Sequence, residues 1–132
     1  METAILKELI TDFLRSRYYK NHELSPNKNN RVLLVNTDDL EENNFNKTDG
    51  KYVSADCVKI EYLIRKNDII LAPLTPSSNN IEKVFFFNQE PECKMTISNN
   101  KNIIRVDETR INPGYLANVL NSSLFKQYLY PY

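Results

Sequence analysis

The chain of 132 residues has two cysteines, one histidine, two glycines and no surplus of charge, with 17 Lys and Arg against 17 Asp and Glu. Each shortage removes a class of function. Cys57 and Cys93 form no Cys-x-x-Cys pair and have no histidine cluster nearby, so no zinc site is offered and both read as reduced, half-buried thiols. His22 stands in a polar loop without a partner for catalysis or metal binding. No acid–base pair, nucleophile with histidine, phosphate loop or metal set can be assembled, so an enzyme is not expected and no cofactor is implied. No run approaches the roughly 18 apolar residues of a membrane span. The first five residues carry an acid where a secretory signal is basic, and a cytoplasmic protein with no membrane contact is the expectation. Balanced charge gives no overall field, so a nucleic-acid role has to rest on a local patch or on a partner.

What is present is the composition of one folded domain: 41% apolar residues, 26% charged, eight Tyr and six Phe. From Thr3 to about Lys20 the pattern predicts an amphipathic helix. Ile5, Leu6, Leu9, Ile10, Phe13 and Leu14 recur at three- and four-residue spacing, a stripe that must be buried against something, and Thr3 can cap the first turn. The end of that segment sets Arg15, Arg17 and Lys20 beside Tyr18 and Tyr19. Those residues suit phosphate contacts with stacking tyrosines, or equally a solvated basic turn with tyrosines at the core edge. Residues 1–30 thus read as a helix and linker, and residues 31–132 as the main domain.

Within that domain Val32 to Val35 reads as a short buried strand, and Asn36 to Leu40 turns out of it with Thr37 or Asp38 as cap. Asp38 and Asp39 lack a third ligand at a sensible spacing and are read as capping and turn residues. After an acidic, Asn-rich stretch closing at Asp49-Gly50, Lys51 to Ser54 is extended, and Ser54 or Asp56 can cap a helix through Val58, Ile60, Tyr62 and Leu63. Arg65-Lys66-Asn67-Asp68 is a charged corner feeding Ile69-Ile70-Leu71-Ala72, the pattern of a strand buried on both faces. The polar loop around Thr75 to Asn80 and a second strand near Lys83 to Phe87 make this a hairpin. Strands follow at Cys93 to Ser98 and Asn102 to Val106, joined by a hairpin turn at Asn99-Asn100-Lys101. Asn112 as cap with Pro113 in the first turn starts a helix carrying Tyr115, Leu116, Val119 and Leu120, and a second short helix follows Ser123. The fold class is α+β: a twisted mixed sheet with hairpins, an N-terminal helix and short C-terminal helices.

Four blocks in order carry a family resemblance: residues 36–40, residues 50–54, the corner and strand 63–72, and Ile111-Asn112-Pro113-Gly114-Tyr115-Leu116 running to Asn121-Ser122. Together they resemble the target recognition domain of type I restriction-modification specificity subunits, over roughly residues 31–130. The resemblance implies sequence-specific recognition of double-stranded DNA in bacterial defence, on behalf of a DNA methyltransferase subunit and a restriction subunit, with no chemistry of its own. The chain departs from the family in having Asn67 where a glycine is usual, no glycine in the loop after the strand, and one recognition domain where subunits usually hold two. A half-sized subunit that forms a homodimer, a fragment, or a relative turned to another task are the corresponding expectations.

On this reading the polar loop Thr75, Ser77, Ser78, Asn79, Asn80 with Lys83 is the first candidate for DNA contact, against a solvated hairpin tip as the plain alternative. Arg31, Asn36, Thr37 and Lys51 come next. Arg65 and Lys66 read as a surface turn. A second function of a different class is a regulatory or protein-interaction module that keeps the fold without binding DNA, with Ile5, Leu6, Leu9, Ile10, Phe13 and Leu14 as its interface.

Overall fold

In the computed structural model the described residues are 8–16, 18–20, 30–36, 39–40, 45, 51–73, 81–98 and 101–121. Their strands are β1 (Ile10–Arg15), β2 (Arg31–Val35), β3 (Tyr52–Ser54), β4 (Ile69–Pro73), β5 (Ile81–Phe86), β6 (Met95–Ile97) and β7 (Asn102–Val106), followed by helix α1 (Pro113–Leu120). They form two sheets, one of four strands in the order β1-β7-β4-β5 and one of three in the order β3-β2-β6. The coarse α+β class holds, with more strand than helix. The larger sheet is wholly antiparallel, and only the smaller one is mixed, β2 pairing with β6 in parallel and with β3 antiparallel.

β4 has the two buried faces that its unbroken apolar run calls for. Ile69 and Leu71 point to one side with Ile104 and Val106 of β7, where Leu116, Ala117 and Leu120 of α1 close the core. Ile70 points to the other side with Ile103, against Leu33, Val35, Met95 and Ile97 of the smaller sheet. Alternation along one strand therefore serves two cores, and each fully buried aliphatic side chain contributes roughly 1.5–3 kcal/mol. The β4–β5 hairpin forms as expected, with Ile69 opposite Phe86 and Ala72 opposite Lys83. The helix start is also as expected: Asn112 accepts the Tyr115 N–H, and Pro113 stands in the first turn.

Three expectations are corrected. Residues 10–15 are a strand in the sheet with β4, β5 and β7, not part of an N-terminal helix. β7 leaves one edge open, and pairing that edge satisfies a row of backbone groups that a helix here would leave bare. The skipped residue is Thr11: Ile10 faces Val106 and Asp12 faces Arg105, a bulge that breaks the two-residue period and disguises the strand. Second, the helix expected through Val58 to Leu63 is two single 3-10 turns, Ala55–Cys57 and Ile60–Tyr62, the first capped by Ser54. Third, β6 and β7 do not pair with each other but go to different sheets. The first half of the expected helix, Thr3, Ile5 and Leu6 included, and the second C-terminal helix lie outside the described residues.

The corner before β4 fastens the two sheets. Asn67 has φ of 72°, the left-handed conformation that glycine or asparagine takes with least strain. Its N–H donates to the Phe87 carbonyl, and its side-chain amide donates to Glu108 at 2.7 Å. Asp68 is 1% exposed and receives the Arg105 guanidinium at 2.8 and 3.0 Å, while the same guanidinium donates to the carbonyls of Glu61 and Leu63. With every polar group met, this buried pair locks the corner onto β7 and onto the 3-10 turns.

Candidate nucleic-acid interface

Strand direction decides which candidate residues come together. In the larger sheet Arg15 lies opposite Asn102, Leu71 opposite Asn102 on the other side, and Pro73 opposite Ile81. One end of that sheet therefore gathers the end of β1, the end of β4 and the starts of β5 and β7. The smaller sheet is tied to the same end. The Ser98 hydroxyl donates to the Val35 carbonyl at 2.9 Å, the Lys101 N–H donates to Ser98, and the Ser16 N–H donates to the Lys101 carbonyl. Lys51 joins them, its carbonyl accepting the Leu34 N–H at 2.9 Å.

Asn36, Lys51 and Lys83 thus share one end of the fold, although the first and the last of them stand 47 positions apart in the chain. Arg15, exposed at the close of β1, stands there too. Arg31 does not. It begins β2, at the opposite end from Val35, and its guanidinium lies 3.6 Å over the Tyr52 ring, a packed cation–π contact. Thr37, Thr75, Ser77, Ser78, Asn79 and Asn80 lie outside the described residues, as do Arg17 and His22. Arg65 and Lys66 are exposed turn residues at the far end, as read from sequence.

The shared end has a built floor. The Asn36 side-chain oxygen accepts the Asp39 N–H at 2.8 Å, and the Asp39 carboxylate accepts the Asn36 N–H at 3.1 Å. This reciprocal pair is the capping-box arrangement with Asn36 as the cap; Thr37 and Asp38, the caps read from sequence, lie outside the described residues. Asp39 is 4% exposed and faces Lys101, itself 6% exposed, whose amine donates to Ser98 at 3.3 Å. Burial pulls the Lys101 amine below its ordinary value, and Asp39 pushes back the other way. Nothing in Asn99-Asn100-Lys101 distinguishes a buried lysine from a solvated loop, whereas the Asn-x-x-Asp spacing of the cap was readable.

Of the residues assigned to a partner interface, Ile5 and Leu6 lie outside the described residues, and the other four pack within the fold. Leu9 is buried; Ile10 and Phe13 pack on the α1 side of the larger sheet, and Leu14 packs on the side of the smaller sheet. The two faces of β1 leave no continuous stripe from these residues for a partner. Cys57 is half-buried as expected, but Cys93 is exposed, and neither is in a disulfide. Partial burial and then Glu92 raise the Cys93 thiol, with Arg31 opposing. Among the described residues no three of His, Cys, Asp and Glu come together as a metal site, and no helix is long and apolar enough to cross a membrane. An open hollow of about 640 Å3 lies at the far end, lined by Lys66, Glu108 and Arg110 among others. Every buried side-chain polar atom among the described residues has a partner, so none waits there for a ligand. Comparison with models of protein families and with curated proteins gives no match to this chain.

Proposed function

We propose that the protein recognises double-stranded DNA in a sequence-specific way, as a specificity subunit or target recognition domain of a type I restriction-modification system. The observation that carries the reading is the gathering of Asn36, Lys51 and Lys83 at one sheet end, together with exposed Arg15. Short polar and cationic side chains on a rigid double sheet are the equipment for reading base edges and holding phosphates. The four sequence blocks support it as well: two of them, the corner feeding β4 and the Asn112-Pro113 helix start, are well-formed elements, and Asn67, the departure from the family's glycine in that corner, keeps the left-handed backbone a glycine would take. The protein supplies no reaction of its own in this reading; a DNA methyltransferase subunit does the chemistry.

The reading requires a local patch, because the net charge is zero. It is tested by the salt dependence of binding to a random-sequence duplex, with and without a methyltransferase subunit. Binding that weakens steeply with salt supports it, and absence of binding at low salt in both settings overturns it.

A further inference from the structure

Resting on that DNA-binding reading, we propose that the Asn36 side chain is a fixed hydrogen-bond donor that contacts an acceptor on the duplex, a phosphate oxygen or the acceptor edge of a base. The amide is oriented by its surroundings. The atom of Asn36 that faces the Asp39 N–H at 2.8 Å must be the oxygen, because an N–H donor needs an acceptor. The NH2 group is therefore turned away from the cap, on a residue that is exposed and whose amide nitrogen has no partner among the described residues.

The orientation is held from below. Asp39 returns a bond to the Asn36 N–H, the Leu40 N–H donates to the Asn36 carbonyl at 3.2 Å, and buried Asp39 faces buried Lys101. Lys101 in turn is fixed through Ser98 to the Val35 carbonyl, the residue before Asn36. A donor locked in this way loses little freedom on binding, which makes one bond worth more than on a free side chain. The same lock sets its chemistry. Pairing with adenine uses the oxygen and the nitrogen of an asparagine together, and here the oxygen is engaged in the cap, so Asn36 presents its NH2 group to the duplex as donor only.

The test compares the wild type with N36D, which keeps an oxygen to cap the turn, and with N36G, which removes the side-chain donor at little cost to the cap. Thermal unfolding verifies that each folds. Affinity is then measured on a random-sequence duplex and on a duplex selected by the wild type from a random pool. Loss of about tenfold in both variants, the size of one hydrogen bond, is expected. Equal loss on both duplexes identifies a phosphate as the acceptor, and loss on the selected duplex alone identifies a base edge. Wild-type affinity in N36G overturns the donor assignment while leaving DNA binding standing, even if N36D is weakened by its added charge. No binding by the wild type overturns both.

Discussion

Arg105 on β7 grips Asp68 with two nitrogens, at 2.8 and 3.0 Å, both residues being almost wholly buried. Its remaining donors hold the Glu61 and Leu63 carbonyls, so one side chain joins the central strand, the corner before β4 and the second 3-10 turn. Removing either partner leaves a buried charge alone. Arg105→Ala and Asp68→Ala should each lower the unfolding free energy by about 3–5 kcal/mol in urea titrations. Arg105→Lys should recover little, since an amine cannot make the forked contact. A loss under about 1 kcal/mol in both alanine variants would show that the pair is dispensable.

At Asn67 the backbone conformation sets the tolerated residues. With φ of 72°, Asn67→Gly should stay within about 1 kcal/mol of wild type, the lost bond to Glu108 being set against relief of strain. A β-branched residue has no such relief, and Asn67→Val should cost about 1–3 kcal/mol. Equal thermal midpoints for the two variants would contradict the assignment.

Because β1 is part of the double core, charge placed on it should unfold the protein and not merely separate subunits. Leu9→Asp and Phe13→Asp are expected to lose cooperative unfolding by circular dichroism. A folded variant with a lower mass in light scattering would instead restore these residues to a partner interface.

The pH response follows from Lys101. Its amine sits below the ordinary value of 10.5 because of burial, so the unfolded chain keeps that proton to a higher pH than the fold does. Between the folded value and 10.5 the unfolded state binds more protons, and stability rises with pH across that window. Lys101→Met should remove that rise, seen as the difference between the two pH profiles of urea unfolding on the alkaline side. Parallel profiles would mean that Lys101 is not buried as a cation.

Much of the fold was legible where local chemistry and tertiary demand agree. Ile69 to Ala72 reads as doubly buried and is, Asn112-Pro113 starts a helix, and Asn67, standing where the family has a glycine, takes the left-handed backbone. β1 was not legible because Phe13 and Leu14 are adjacent apolar residues serving opposite faces, and the bulge at Thr11 shifts the period, so the spacing mimics a helix. The parallel pairing of β2 with β6 joins residues about 60 positions apart, and no local signal announces it. For the candidate site, Asn36, Lys51 and Lys83 were nameable by residue type, but their meeting at one end depends on strand direction. Arg31 was equally nameable and goes to the other end. Lys101 was missed because burial, which gives it significance, is decided by the crossing of the two sheets.

DNA recognition at this sheet end is measured by fluorescence anisotropy on a random-sequence duplex across a salt series, for wild type and for Lys51→Ala with Lys83→Ala, alone and with a methyltransferase subunit. Wild-type affinity should fall linearly in log–log form with salt, with a slope smaller by about 2 in the double variant, one for each lost phosphate contact. No binding in either setting at low salt, or a double variant with the wild-type slope and affinity, would contradict it.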